Sequence, residues 1–471
     1  VPEDQALLAK PGAGWRLTAI IVACALFMQN LDSTIVSTAL PAMAHAFHAD
    51  PVHMNVALTA YLFAVAVFVP ASGWFADRFG TRSVFRAAIA VFTLGSILCG
   101  RADSLGFLII ARVLQGMGGA MMLPVGRLLL LRSVPKTQFL AAMTWVTMPA
   151  LIGPVLGPPL GGFIVTYFSW RWIFDINLPI GVLGFTMVTL FIQDVREPNP
   201  GRLDIIGLIL SGAALGFFMA VLETAGHGLV PPAAVLGMAG AAIAAGGGYW
   251  LHARAQARPL LDFSLLRLPT FAVSVFAGSL FRIGIGAVPF LLPLMIQIGF
   301  GRSAAQSGMI TFATALGAIG MKPATIFVLR RFGFRVILSV NGAACAALLC
   351  CCAAFRPNWP IAAIYAVLLA NGFLRSLQFT AYNTIAYADV PPARMSAATT
   401  LYSVLQQVSL TIGIPISAGV LQMARVAGHH ATPLTADFSV AFVVVAAISL
   451  LASPASLLMP KSAGREMSGA S

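Results

Sequence analysis

The stretch QNLDSTIVSTALP, from Gln29 to Pro41, closes an apolar run that begins at Leu17, and its reading decides the fold. A helix over residues 17–40 is long enough to cross the ~30 Å hydrocarbon core of a bilayer. Yet its second half carries Gln29, Asn30 and Asp32. A carboxylate at the bilayer centre costs roughly 2.5–3.5 kcal/mol on insertion scales, so Asp32 needs a partner or a task.

The rest of the chain is of the same kind. Of 471 residues, 59% are hydrophobic and 9% charged, and the mean hydropathy is +0.90. That composition excludes a soluble globular domain of this length. A net charge of +13 could suggest nucleic acid, but the basic residues sit in short clusters between apolar runs. The clusters read as loops flanking membrane spans, with no nucleic-acid partner. No secretory cleavage pattern precedes the first run, which is expected to stay in the membrane. The six cysteines fall inside apolar runs without paired spacings and read as packing residues, not as a metal or redox site. His45, His48 and His53 share a short loop and read as solvated, so no metal site is expected.

Apolar runs bounded by charge, Gly and Pro give fourteen spans: 17–40, 54–74, 83–100, 105–131, 139–165, 170–192, 203–225, 231–251, 270–297, 306–329, 335–354, 360–384, 397–424 and 436–459. Eighteen of the 28 Lys and Arg residues lie on one set of flanks, five on the other (Arg101, Arg171, Arg302, Arg356 and Arg425) and five within spans. The positive-inside rule then places both termini in the cytoplasm. The fold class is an all-α polytopic membrane protein. Its expected parts are a cytoplasmic tail (1–16), a six-helix bundle (17–192), a linker with two added spans (193–268), a second six-helix bundle (269–459) and a cytoplasmic tail (460–471). A basic loop follows an even-numbered span in each half, DRFGTR at 77–82 and RRFGFR at 330–335, as an internal duplication predicts.

Five stretches carry a resemblance: LDSTIVSTALP at 31–41, GWFADRFGTR at 73–82, ARVLQGMGGAMMLP at 111–124, GPVLGPPLGGFI at 153–164 and WRWIFDINLPIG at 170–181. Together they resemble the major facilitator superfamily, and within it the fourteen-span drug:proton antiporter branch of EmrB/QacA-like and MdtD-like exporters. The resemblance implies the major facilitator fold, a bacterial inner-membrane location, proton coupling and export from the cytoplasm by alternating access. It implies no cofactor and a monomer whose partners are a small-molecule substrate, protons and the lipid bilayer.

The stretches also have physical readings of their own. In the loop, Gly73 and Gly80 permit close approach and a tight turn, while Asp77, Arg78 and Arg82 can bond neighbouring helix ends and latch one conformation. In the fifth span, Gly153, Gly157, Gly161 and Gly162 are three to four apart and read as one face that lets another helix approach. Pro154 and Pro158 on that helix break its hydrogen-bond ladder and read as a kink.

Depth supplies a partner for Asp32. It sits ~12 Å below the outer end of span one, and Arg112 ~10 Å below the same face on span four. The pair reads as a proton-coupling site, with a static ion pair between the two helices as the alternative. Gln115, Gln29 and Asn30 would complete a polar patch. Asp175 reads as a partner for Arg171 one turn earlier.

In the second half Arg282 and Arg375 interrupt spans nine and twelve near mid-depth without acids beside them in the sequence. Two such guanidiniums suit an anionic ligand. Asn371, Gln378, Tyr382 and Asn383 on span twelve add substrate-binding groups. With no phosphate-cradling loop, metal-ligand helix or triad pattern, an enzyme is not expected. Two substrate readings follow. The resemblance implies multidrug efflux, and the excess of buried cations implies export of a carboxylate metabolite such as citrate or its metal chelate. A channel or an uptake symporter is a weaker alternative.

Overall fold

The computed structural model describes residues 15–133, 139–193, 204–224, 230–256, 259–391 and 394–460. Residues 1–14 and 461–471, the segment 225–229 with Gly228, and the basic residues Lys136, Arg196, Arg202 and Arg258 lie outside them. Lipid offers the backbone no hydrogen bonds, so an apolar chain of this kind must satisfy its own amides within helices. All regular structure among the described residues is helical.

The long helices, in chain order, are α1 (Arg16–Thr38), α2 (His53–Phe79), α3 (Thr81–Gly100), α4 (Leu105–Leu130), α5 (Phe139–Tyr167), α6 (Trp172–Phe191), α7 (Ile205–Thr224), α8 (Pro232–Ala255), α9 (Pro269–Gly299), α10 (Ala304–Met321), α11 (Phe334–Ala354), α12 (Ile361–Ile385), α13 (Ala397–Ala427) and α14 (Thr435–Ser456). All but α5 and α10 make up twelve helices long and apolar enough to span a bilayer. Prolines mark the local breaks. Pro70 sits in a tight turn inside α2, and Pro323 separates α10 from a further helix, Thr325–Phe332. α5 stays helical through Pro154 and Pro158.

The two basic loops share one geometry. Gly80 and Gly333 both take positive φ, 92° and 73°, between a short helix and the next span. A side chain there would be strained, which explains why each loop has glycine at that point. Arg82 donates to the Thr189 carbonyl at the end of α6, whereas Gly73 and Arg78 are exposed.

Packing separates a first group (α1 to α6) from a second (α9 to α14), with α5 against α10 and α2 against α13 joining them. α5 is the most closely fitted. A Cβ at Gly157 would lie 2.0 Å from the Thr34 hydroxyl and one at Gly161 2.5 Å from that of Thr38, both on α1, and Gly153 also faces α1. Gly162 does not share that face, contrary to the sequence reading. It points at Ala304 of α10, where a Cβ would meet the carbonyl at 2.3 Å. Consecutive residues are about 100° apart on a helix, so Gly161 and Gly162 serve two different neighbours.

At the end that basic residues avoid, both groups share one apolar core, with Met43, Leu58 and Phe174 against Phe290, Phe355 and Phe438. Three polar contacts cross there: Arg425 to Asp50 at 2.5 Å, Gln297 to the Thr38 carbonyl at 3.1 Å, and the Ala305 amide to Thr166 Oγ1 at 2.9 Å. Toward the basic-rich end the cores are separate, one around Val22, Phe85 and Leu129 and the other around Phe281, Leu338 and Tyr382.

α7 lies against both α2 and α13, while α8 is largely exposed, as a lipid-facing helix would be. Asn55 Nδ2 donates to Glu223 Oε2 of α7 at 2.7 Å. Beyond α8, Asp262 accepts from Arg394 at 2.6 Å and from Ser264. Burial pushes the Asp262 carboxyl up, but these bonds outweigh it and hold it below the usual carboxylate range.

Gly308 of α10 tests the joint between the groups, because a Cβ there would lie 2.1 Å from the Pro158 carbonyl. Gly308→Val should keep the protein in the membrane but force α5 and α10 apart. Cysteine labelling at Ala305 should then rise at least several-fold over the glycine protein. Unchanged labelling would show that the contact is slack.

Candidate functional site

The first group converges on Asp32. Its side chain and that of Arg112 are both 0% exposed, and Arg112 Nη1 donates to Asp32 Oδ2 at 2.7 Å. The other carboxylate oxygen accepts from Gln115 Nε2 and from Asn177 Nδ2, each at 2.8 Å. Arg112 also donates from Nε to the Ala57 carbonyl at 2.9 Å and from Nη1 to Gln115 Oε1 at 2.7 Å, while its Nη2 has no hydrogen-bond partner among the described residues. Its guanidinium carbon lies 4.5 Å from the centre of the Tyr61 ring. Each side chain bonded to the Asp32 carboxylate acts as a donor to it.

Local sequence explains how these groups meet. Gln115 lies three residues after Arg112 and so on the same face of α4. Close helix approach does the rest. A Cβ at Gly95 of α3 would sit 2.6 Å from the Gln115 amide nitrogen, and one at Gly116 2.6 Å from the Tyr61 carbonyl. Gly116 and Gly118 of ARVLQGMGGAMMLP, with Gly95 of α3, thus draw α2 and α3 onto α4 until Arg112 can reach α1.

The pair read from depth is therefore in contact, and Gln115 belongs to it. Gln29 lies beside Tyr61, whose ring faces Arg112, whereas Asn30 turns back to its own helix. Asn30 Nδ2 donates to the Leu26 carbonyl of its own helix at 2.8 Å, and Gln29 Oε1 has no hydrogen-bond partner among the described residues. Asn177 was missed. Its only sequence signal is an amide inside the apolar run INLPIG, where a buried polar side chain must find a partner. It also bonds Ser96 Oγ at 2.9 Å, and Ser96 donates to the Phe174 carbonyl at 2.9 Å. Asp175 pairs with Arg101 at 3.5 Å, not with Arg171, which reaches Asp103 and the carbonyls of Gly100 and Ala102. The Arg171 side chain turns toward the chain end of α3, out of reach of its own helix's next turn.

In the second group, Arg282 is 1% exposed and has no carboxylate in ion-pair reach among the described residues. Its charge is shared by Asn383 Oδ1 at 3.1 Å, by the Tyr402 hydroxyl, and by the rings of Tyr402, Phe379 and Tyr382 at 5.0, 5.4 and 5.9 Å. Aromatic faces of this kind attract a cation in a desolvated site. Arg375 is half-buried with no hydrogen bond or ion pair among the described residues. Gln378 joins Asn341 and the Leu338 carbonyl at 2.8 Å each, Tyr382 bonds Ser456 at 2.8 Å, and Asn371 is buried. Gln378 and Tyr382 thus brace α12 against its own group. Lys322 reaches Thr380 Oγ1 at 3.2 Å toward the basic-rich end.

Residues 22–414 and again 274–467 match the Major Facilitator Superfamily. The chain belongs to that family. It is 41% identical over 410 residues to a protein of Pectobacterium atrosepticum named "Putative multidrug resistance protein MdtD", covering 86% of each chain. The protein of the same name from Serratia proteamaculans is 42% identical over 416 residues, covering 86% of this chain and 84% of that one. Among solved structures, the fold is similar to the nucleoside transporter NupG (TM-score 0.66, 13% identity, 94% of this chain and 100% of that one). It is equally similar to a D-xylose-proton symporter (TM-score 0.66, 13% identity, 95% and 98%). This major facilitator protein is therefore a multi-pass inner-membrane transporter, not an enzyme.

A fully buried ion pair is expensive to break from one side. Arg112→Met should lower stability by about 3–5 kcal/mol, because Asp32 is left charged and unpaired. Adding Asp32→Leu should recover most of that loss. Denaturant unfolding of the purified protein in detergent measures both, and an equal loss in the single and double variants would contradict a mutual pair.

Proposed function

We propose that this transporter is a proton-coupled antiporter that exports small organic compounds, of the multidrug-efflux type. The observation that carries the reading is Asp32, ionisable, fully buried and surrounded by donors beside Arg112. A carboxylate so placed can exchange its proton only when the bundle opens, which ties protonation to conformation. The name borne by the relatives supports multidrug efflux. The quoted motifs support the fourteen-span branch, with α5 and α10 crossing as well. In this reading residues 17–192 and 269–459 are the moving halves, and the linker at 193–268 carries α7 and α8. The end avoided by basic residues faces outward, both termini are cytoplasmic, and the unit is a monomer. The shared core and the Arg425–Asp50 pair then close the outer path, so the structure corresponds to a state closed to the outside. The Gly73–Arg82 loop, with Asp77, Arg78 and Gly80, latches the cytoplasmic side.

Asp32→Asn keeps the shape of the site and removes its titration. In everted vesicles loaded with ethidium as probe, the variant should show at least a tenfold loss of proton-driven accumulation at unchanged protein level. Accumulation at the wild-type rate would reduce Asp32 to a structural role.

A second reading has its own observation: Arg375 carries a guanidinium without a partner among the described residues. An anionic carboxylate, citrate being one, would complete it. Arg282 is less available, since its aromatic and amide neighbours already share its charge. Arg375→Gln should weaken citrate binding by about 1.5–3 kcal/mol, the worth of one charged hydrogen-bonding partner. Calorimetry with citrate and with ethidium separates the readings: equal losses for both would make Arg375 a structural cation.

A further inference from the structure

Asn177 is held in an unusual position. It is fully buried, one amide hydrogen goes to Asp32 Oδ1 at 2.8 Å and the other to Ser96 Oγ at 2.9 Å, and its own oxygen has no partner. An unpaired buried acceptor costs about 1–3 kcal/mol, so its retention asks for a reason. The chemistry of Asp32 supplies one. As a carboxylate, Asp32 needs donors, and Arg112, Gln115 and Asn177 provide three. Once protonated it becomes a donor itself and needs an acceptor. Gln115 Oε1 is already taken by Arg112 and faces the Cys99 thiol at 3.7 Å. The buried oxygens of this cluster without a partner among the described residues are the Tyr61 hydroxyl and Asn177 Oδ1, and only Asn177 belongs to a side chain already bonded to Asp32.

We propose that Asn177 is a positioning residue that follows the proton on Asp32 by rotating its side-chain amide. With Asp32 ionised, Nδ2 faces it, as in this structure. When a proton from water binds Oδ1 of Asp32, a half-turn about the last side-chain bond brings the Asn177 oxygen to the same place. There it accepts from the new O–H, and the Ser96 hydroxyl, released from the Phe174 carbonyl, donates to it as well. Release of the proton reverses the turn. Each state leaves one amide atom of Asn177 without a partner, so neither is favoured by the amide's own bonding.

Two other polar atoms of the cluster, Arg112 Nη2 and the Tyr61 hydroxyl, also lack a hydrogen-bond partner among the described residues. α4 contributes Arg112 and Gln115, α3 contributes Ser96 and Cys99, and α2 contributes Tyr61, whose ring lies against Arg112. The ionisable side chain of α5, Tyr167, sits at the far end of that helix. No second carboxylate lies in hydrogen-bond contact with Asp32 among the described residues, so the titration belongs to a single acid.

The inference rests on Asp32 as the coupling acid, and infrared difference spectroscopy of the full-length protein in lipid tests the two separately without any substrate. A pH titration should reveal one protonated-carboxyl band that Asp32→Asn removes. In the wild type that band should rise together with a change in an Asn amide C=O band. Asn177→Leu should abolish the amide change and raise the midpoint of the carboxyl band by about one to two pH units, since the charged state loses a donor. Asn177→Asp, which keeps the shape, guards against misfolding of the leucine variant. It should make two carboxyls share one proton at a pH where the wild type holds none. If the band is lost in Asp32→Asn but its midpoint and the amide change persist in Asn177→Leu, Asn177 is only packing and the inference fails. If no band depends on Asp32, the coupling reading fails first and takes the inference with it.

Discussion

A carboxylate and a guanidinium, both without exposure and 2.7 Å apart, hold the first half of this protein together. Desolvating either ion costs several kcal/mol, and their attraction offsets that only when every remaining donor and lone pair finds a partner. Asp32 on α1, Ala57 and Tyr61 on α2, Ser96 on α3, Arg112 and Gln115 on α4, and Asn177 on α6 form one network that meets most of this demand, leaving Arg112 Nη2, the Tyr61 hydroxyl and Asn177 Oδ1 without hydrogen-bond partners among the described residues. The glycines that bring α2 and α3 against α4 follow from it, since Arg112 reaches Asp32 only if those backbones nearly touch. Charge placement and helix packing are thus one constraint, and the network around Asp32 ties five helices together.

The contacts between halves have a different character. Where α5 meets α10, backbone lies on backbone at Gly162 and Gly308, with the Ala305 amide donating to Thr166 Oγ1 beside them. Such a joint can rock at little cost, because smooth surfaces lose few contacts on sliding. The Arg425–Asp50 pair and the shared apolar core lie at one end only. A closure concentrated at one end, beside a smooth joint, is what rocking between two states requires.

Most of this architecture was legible in the sequence, because lipid forces helices and a helix of fixed rise converts residue count into depth. The contact between Asp32 and Arg112 came from that arithmetic. Asn30 stands outside the Asp32 network because sequence nearness says nothing about direction: it bonds back to Leu26 on its own helix. Gly162 was grouped with Gly161 by spacing, yet one step turns the helix by about 100° and hands it to another neighbour. Asp175 found Arg101 across a loop junction that no periodicity describes. Asn177 was overlooked because one amide in an apolar run looks the same whether it braces a helix or faces a functional carboxylate.

The two halves differ in how they carry charge, and the difference bears on what can be exchanged for a proton. Among the described residues, the mid-depth ionised groups are one acid, Asp32, against Arg112, Arg282 and Arg375, so the interior is net positive even with Asp32 ionised. Protonating Asp32 makes it more so. A cationic ligand therefore competes with the proton, and reciprocity of binding free energies means that each helps to expel the other. That is the sign antiport needs. An anion held by Arg375 feels the reverse, since protonation at Asp32 strengthens its binding and favours carrying both in one state. Export of a carboxylate against protons would then need steric exclusion, through opening and closing at the joint, rather than direct charge competition. The substrate question and the coupling question thus have a single electrostatic root at Asp32.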